Sequence, residues 1–421
     1  MSLSVCFVND TSEDSNWGCR ATTACLAGLV TEAGATITNH VSKSRMERSR
    51  KTHRLSATDR VFGRLGRWLG RRPAFELKCL LSRGRDLLRT DWLPKSAAAL
   101  REAAHDDAFV ARLMGGTESL ARADVVLING EGSIYDFQDK GRHLLALAWV
   151  AKERFGKPVA LVNHTAELGH PAMRELAELV YPRLDDVVAR EPLTVETLRP
   201  LCRVDFAPDA AFRLQPGHPA DPAALRAAAQ GAPSVSGLEH FNPERPYVCL
   251  GGSSIFLRPD RPYADPLPGL RTLIAGIQRQ GLAVVLTAPG TEDHRFMNDL
   301  AAEFRLPLFG SDTPTQVAVD LLAGAACFIS GRWHPSIFAL TGGTPIIVFG
   351  ANTRKTEALL RMMEIKAPSF DATRLEAECP RIMALLADYL AQGADLRHRL
   401  QSGAKAFAES ARRNVAALAR I

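Results

Sequence analysis

Arg332 and His334 stand two residues apart in the segment Ser330-Gly331-Arg332-Trp333-His334-Pro335-Ser336. A guanidinium beside an imidazole suits two tasks, gripping an anion and moving a proton: arginine's fork matches carboxylate or phosphate bidentately, and histidine titrates near neutrality. Taken singly, either residue reads as solvated surface. Their setting says more. Ala326-Cys327-Phe328-Ile329 before them is an apolar run suited to a buried parallel strand, and Pro345-Ile346-Ile347-Val348-Phe349 after them is another. Pro335 fits the first turn of a helix running through Phe338 and Leu340, ended by Gly342-Gly343. Such a βαβ unit sets Ser330, Arg332 and His334 at the carboxyl end of a strand and beside a helix N-terminus. Open α/β sheets bind ligands there, and backbone N–H groups favour an anion.

Three further clusters repeat the pattern. Asn129-Gly130-Glu131-Gly132-Ser133 follows the apolar run Asp124 to Ile128, so Gly130 and Gly132 can bring backbone N–H groups against a ligand, with Glu131 at the sheet's carboxyl edge. Asp136 is a candidate second carboxylate; the plain alternatives are a tight βα turn and a helix start. In Val187 to Thr194, Arg190 is a candidate anion clamp and Thr194 a cap or phosphate contact, against the plain reading of a strand-end salt bridge. Asp209 lies in the apolar stretch Phe206 to Phe212, where it is expected to hold structure rather than react.

The elements that must position these residues alternate as βαβ units. Strands are expected at 3–8, 36–38, 124–128, 158–162 and 186–189, with helices at about 19–33, 98–114, 141–155, 167–180 and 192–198. The Pro-, Ala-, Gly- and Ser-rich stretch 216–246 reads as a connection, after which a second α/β series begins at Tyr247. The expected organisation is an N-terminal Rossmann-like domain over 1–215 with a basic insertion at about 43–95, a linker over 216–246, a C-terminal Rossmann-like domain over 247–373 and a helical tail over 374–421. Two Rossmann-like domains facing a cleft make a GT-B-like α/β architecture.

At 421 residues the chain exceeds one compact core, and 46% hydrophobic with 23% charged residues is the composition of a globular enzyme. It holds no apolar run of spanning length, and Met1 to Val8 lacks the pattern of a secretory signal. Eight cysteines are scattered without a CxxC pair, which points to free thiols in a reducing cytoplasm rather than a disulfide frame or a zinc site. The net charge of +6 is concentrated between Lys43 and Arg89, where Val61, Phe62, Leu65, Trp68 and Leu69 recur among arginines at helical spacing. Such a helix suits an anionic membrane leaflet at the inner face, an acidic or lipid-linked glycan, or a solvated cover. No nucleic-acid motif accompanies the charge.

In this order the motifs resemble the polysaccharide pyruvyl transferase family. The resemblance rests on Asn16-Trp17-Gly18, Gly130-Glu131-Gly132, Arg190-Glu191-Pro192-Leu193-Thr194, Asp209 to Phe212, and the segment from Arg332 to Pro345. Only the last is specific, and the likeness leaves out the basic block and the tail. Two departures stand out: many relatives carry a Gly-Gly-Gly strand end where this chain has Gly130-Glu131-Gly132, and a Gly-rich turn where it has Asn163 to Glu167. The resemblance implies transfer of the enolpyruvyl unit of phosphoenolpyruvate onto two sugar hydroxyls, with no other cofactor required and the need for a divalent metal left open. Arg190 and Arg332, from opposite domains, would hold the donor's carboxylate and phosphate, with Asn16, Gly18, Gly130, Gly132, Thr194 and Ser330 as further contacts. His334 would be the general acid, and Glu131 or Asp136 the base. The acceptor would be a glycan or lipid-linked glycan. Two alternatives remain: a sugar-nucleotide-dependent GT-B glycosyltransferase, with Glu357 as the ribose-binding acid, and a non-catalytic glycan-binding protein on the same fold.

Overall fold

The computed structural model describes residues 2–50, 72–73, 76–77, 91–115, 119–217, 222–256 and 265–420. Most of the basic block from Lys43 to Arg89, including its proposed amphipathic helix, lies outside the described residues.

Two parallel sheets carry the chain. The first is built from β1 (Ser4–Asp10), β2 (Thr36–Ser42), β3 (Val125–Tyr135), β4 (Val159–Glu167), β5 (Asp186–Ala189) and β6 (Asp205–Phe206), in the order β2-β1-β3-β4-β5-β6. The second joins β7 (Tyr247–Ser253), β8 (Ala283–Thr287), β9 (Leu308–Phe309), β10 (Cys327–Gly331) and β11 (Ile346–Val348), in the order β11-β10-β7-β8-β9. Runs such as Val125-Val126-Leu127-Ile128 and Ile346-Ile347-Val348 are buried along their whole length, as strands covered by helices on both faces must be.

The helices that matter for the site are α1 (Trp17–Glu32), α2 (Lys43–Arg50), α3 (Asp139–Glu153), α4 (Pro171–Val180), α5 (Pro192–Leu198), α6 (Leu267–Arg279), α7 (His294–Phe304), α8 (Thr315–Gly324), α9 (Trp333–Thr341), α10 (Lys355–Met362) and α11 (Leu375–Ser410). Most follow a strand, so their N-termini collect at the carboxyl edges of the sheets. Asn16 caps α1, its Oδ1 accepting from the N–H groups of Gly18 and Cys19.

Several sequence expectations change. The glycines at 130 and 132 do not end β3. The strand continues to Tyr135 and stays paired with β4 across an irregularity between Glu131 and Ile134, with Glu131 at φ 47°. The strand expected over 158–162 runs on through Asn163 to Glu167, the stretch where relatives carry a Gly-rich turn. The helix expected over 98–114 is two helices, Ala97–Ala103 and Asp107–Leu113, because Asp106 caps the second. The stretch 216–246 contains the helix Pro222–Ala229, and Leu225, Ala229 and Phe241 pack into the second sheet's core.

The tail serves both lobes. Helix α11 packs along α6 and α9, kinks at Gly393 (φ 53°), and is followed by a 3-10 segment over Ala411–Ala419. There Val415, Ala417 and Leu418 join the core formed by Val5, Phe7, Val125 and Leu127 of the first sheet. The two lobes also meet at α1: Trp17 Nε1 donates to Gly310 O at 2.9 Å, and Arg20 donates to Ser311 O at 3.0 Å and Thr313 O at 2.7 Å.

Candidate active site

A cavity of about 220 Å³ lies between the carboxyl edges of the two sheets. The first lobe lines it with Asn16, Glu131, Gly132, Lys140 and Arg190, and the second with Arg332, Trp333, His334 and Lys355. Arg190 follows β5, and Arg332 follows β10 as the N-cap of α9. Both arginines and the histidine singled out in the sequence therefore face one space.

Arg190, Arg332, His334 and Lys140 each stand beside a carboxylate, and Lys355 donates to the Asn352 amide oxygen. Arg190, 1% exposed, donates from Nη1 to Asp209 Oδ2 at 2.8 Å and from Nε to Thr165 Oγ1 at 3.0 Å. Its guanidinium lies 4.9 Å from the centre of the Trp333 ring, and Trp333 Nε1 donates to the same Asp209 oxygen at 2.9 Å. His334 Nε2 stands 3.3 Å from Asp209 Oδ2, 3.0 Å from Thr22 Oγ1 and 3.5 Å from Arg190 Nη1. Burial alone would raise the pKa of Asp209; His334 and then Arg190 outweigh it and hold the carboxyl well below its ordinary range. Arg332 donates to Asp293 at 2.6 Å and to Glu292 at 3.3 Å, while its buried Nε has no hydrogen-bond partner among the described residues. An unpaired buried N–H of this kind is a standing site for an acceptor atom.

Glu131 accepts from Lys140 Nζ at 2.8 Å and from Thr11 Oγ1 at 3.1 Å. Burial pushes its pKa up, but Lys140, His334 and Lys43 outweigh burial and hold it at about 2. The nearby Cys19 thiol, which also lines the cavity, is pushed well above its ordinary value by burial and then by Glu131 and Asp14. Both effects favour the neutral thiol over the thiolate. Lys43, at the start of α2, pairs with Asp14 and links the described end of the basic block to this network.

The remaining sequence candidates divide into backing and bystanders. A Cβ on Gly18 would stand 2.0 Å from His334 Nδ1, so this glycine makes room for the imidazole. Gly132 faces Arg190 Nη2 in the same way, at 3.0 Å. Gly130 lies against His164 instead, where a Cβ would come within 2.4 Å of the His164 side chain, and it does not line the cavity. Thr194, fully buried, donates its N–H and hydroxyl to Glu191, the N-cap of α5, and does not line the cavity. Ser330, also fully buried, donates to Gly252 O at 2.8 Å and ties β10 to β7. Asp136 follows β3 at φ 47° and lies toward Glu167, outside the cavity lining. Glu357 pairs with Arg354 at 2.9 Å on the exposed side of α10 and is also outside the lining. The sequence reading missed Lys140, Thr22, Trp333 and Lys355. Lys140 sits nine positions after Glu131 at the start of α3, the one signal that tied it to the same sheet edge.

Among the described residues, no three His, Cys, Asp or Glu side chains come together as metal ligands, and no helix is long and apolar enough to cross a membrane. The seven described cysteines are free.

A family model described as polysaccharide pyruvyl transferase matches residues 34–353. No curated protein matches the chain. Similar solved structures include a UDP-N-acetylglucosamine 2-epimerase (14% identity, 99% of this chain and 95% of that one, TM-score 0.52). A putative UDP-N-acetylglucosamine 2-epimerase from Listeria monocytogenes is similar at 12% identity, over 98% and 94% of the two chains, with TM-score 0.53. Arabidopsis thaliana UGT89C1 complexed with quercetin matches at 12% identity over 100% and 99%, also with TM-score 0.53. At such identities the likeness establishes the fold, which is the GT-B-like arrangement of two Rossmann-like lobes facing a cleft.

Proposed function

The chain belongs to the polysaccharide pyruvyl transferase family, a family of transferases, and on that premise we propose that it moves the enolpyruvyl group of phosphoenolpyruvate onto two hydroxyls of a sugar. The product is a pyruvate ketal on a surface polysaccharide or its lipid-linked precursor. One observation carries the reading: Arg190, Arg332 and His334, from two lobes, line a single small polar cavity.

The donor is a three-carbon molecule with a carboxylate and a phosphate, and each anionic group needs cations. Arg332 offers its unpaired Nε, Arg190 its Nη2 edge beside Gly132, and Lys140 and Lys355 add positive charge. Size also favours this donor. A cavity of about 220 Å³ is of a size to enclose a three-carbon phosphate.

His334 is the proton carrier, oriented by Asp209 and Thr22. Its proton goes to the methylene carbon of the donor, making the methyl group and leaving an electron-poor C2. The first sugar hydroxyl adds to C2 and returns its proton to the imidazole. The second hydroxyl then forms the other C–O bond as the C–O bond to phosphate breaks, and its proton leaves with the phosphate. Glu131, held at about 2, is a weak base at neutral pH and serves to fix Lys140 at the cavity wall.

The test is release of inorganic phosphate from phosphoenolpyruvate in the presence of glycan and lipid-linked glycan acceptors, paired with thermal-shift titration against phosphoenolpyruvate and nucleotide sugars. Stabilisation by phosphoenolpyruvate and acceptor-dependent phosphate release are expected. Stabilisation by a nucleotide sugar alone would replace this reading with glycosyl transfer.

A further inference from the structure

A second cavity, of about 430 Å³, opens beside the first. It is lined from the first lobe by Glu167 at the end of β4, Arg174 on α4 and Glu196 and Thr197 on α5, and from the second lobe by Arg354 and Lys355. Lys355 lines both cavities. The two spaces also meet through the sheet, since Tyr135 of the smaller cavity is the register partner of Glu167 of the larger. The backbone N–H of Arg354 donates to Glu167 Oε1 at 2.5 Å, so a contact between lobes fixes the wall at this point.

Size and charge select the occupant. At about 430 Å³ the cavity lies within the roughly 300–1,000 Å³ typical of small-molecule sites, and is about twice the size of its neighbour. Its ionisable lining is balanced, with Glu167, Glu191 and Glu196 against Arg174, Arg354 and Lys355. A phosphate or a polyanion would call for an excess of cations. A neutral molecule bearing neighbouring hydroxyls is matched instead by carboxylates that accept and guanidinium groups that donate.

We infer that this second cavity is the acceptor subsite, taking a neutral pyranose residue whose hydroxyls are bound by Glu167 and Arg174 and presented past Lys355 to the smaller cavity. The inference rests on the reading of the smaller cavity as the donor site. Glu167 and Arg174 are then specificity residues with no part in holding the donor.

Two measurements test it on the full-length chain. Saturation-transfer NMR with a panel of p-nitrophenyl hexopyranosides reads sugar binding without turnover. At least one glycoside is expected to give a signal with the wild-type chain, and Glu167→Gln and Arg174→Met are each expected to weaken it. In phosphate-release assays the same variants are expected to raise the KM for that glycoside about tenfold or more, the effect of losing a charged hydrogen bond, with the KM for phosphoenolpyruvate within twofold of wild type. No glycoside signal with the wild-type chain, or variants that leave glycoside binding and acceptor KM unchanged, would overturn the subsite. A glycoside signal that the variants weaken, with no phosphate released from phosphoenolpyruvate, would sink the donor reading and leave the sugar site standing.

Discussion

Asp209 of the first lobe stands 3.3 Å from His334 of the second, and the same oxygen accepts from Arg190 and from Trp333. One buried carboxylate thus sets the positions of the Arg190 guanidinium, the Trp333 indole and the His334 imidazole together. The residue is 0% exposed, so its charge acts in a poorly screened setting.

Replacing His334 by Ala is expected to lower the rate of phosphate release from phosphoenolpyruvate by about 10²–10⁴-fold, the usual worth of a positioned acid–base group. The circular dichroism spectrum should match wild type, because His334 sits at a cavity wall and not in a core. Near-normal turnover would remove His334 from the mechanism.

Gly18→Ala tests the same group from behind. The added methyl would meet the His334 side chain at 2.0–2.4 Å, so the imidazole must move off Asp209 and Thr22. A drop in kcat of about tenfold or more is expected, since misplacement of about 1 Å at a reacting group is costly. Affinity for phosphoenolpyruvate, read by thermal shift, should change little. Unchanged kcat would mean that the ring position is immaterial.

Lys140→Met leaves Glu131 buried without its strongest partner. Loss of about 1.5–3 kcal/mol of stability is expected in urea denaturation, the cost of stripping a hydrogen bond from a charged group. Adding Glu131→Gln should restore much of it, because the uncompensated charge is then gone. A double variant as unstable as the single one would refute this account.

Acid should weaken the fold from an unusually high pH. His164, fully buried with Nδ1 3.0 Å from Val188 O, has its pKa lowered from 6.5 to about 3, by burial first and then by Arg190. Below pH 6.5 the unfolded chain takes up a proton that the folded chain refuses, so stability falls as pH drops from about 6.5 toward 3. The slope approaches about 1.4 kcal/mol per pH unit for this one group. His164→Gln is expected to flatten the dependence of the urea midpoint between pH 6.5 and 5, and an unaltered slope would show that another group governs it.

The strand-helix alternation was legible because buried parallel strands announce themselves as unbroken apolar runs, as in Val125 to Ile128 and Ile346 to Val348. The Arg332 and His334 pair was legible for a similar reason, standing between two such runs. The bulge in β3 was not. Two glycines around Glu131 carry the same local signal whether the chain turns or stays paired, and only the partner strand decides. Asp209 read as structural because its polar partners are remote in sequence, with Trp333 124 positions away. Lys140 and Lys355 belong to no sequence motif, and only the meeting of the two lobes brings them to one cavity.

The 3-10 segment at 411–419 lies against the first sheet, and Asn414 donates to Pro208 O from 206 positions away. Pro208 precedes Asp209, so the loop carrying the shared carboxylate is braced by residues translated long after it. During synthesis the first lobe therefore leaves the ribosome with one face bare, and the pocket's geometry is completed only when the second lobe and its long helix have folded back. Order of assembly and completion of the pocket are thereby coupled: a nascent first lobe carries only part of the lining.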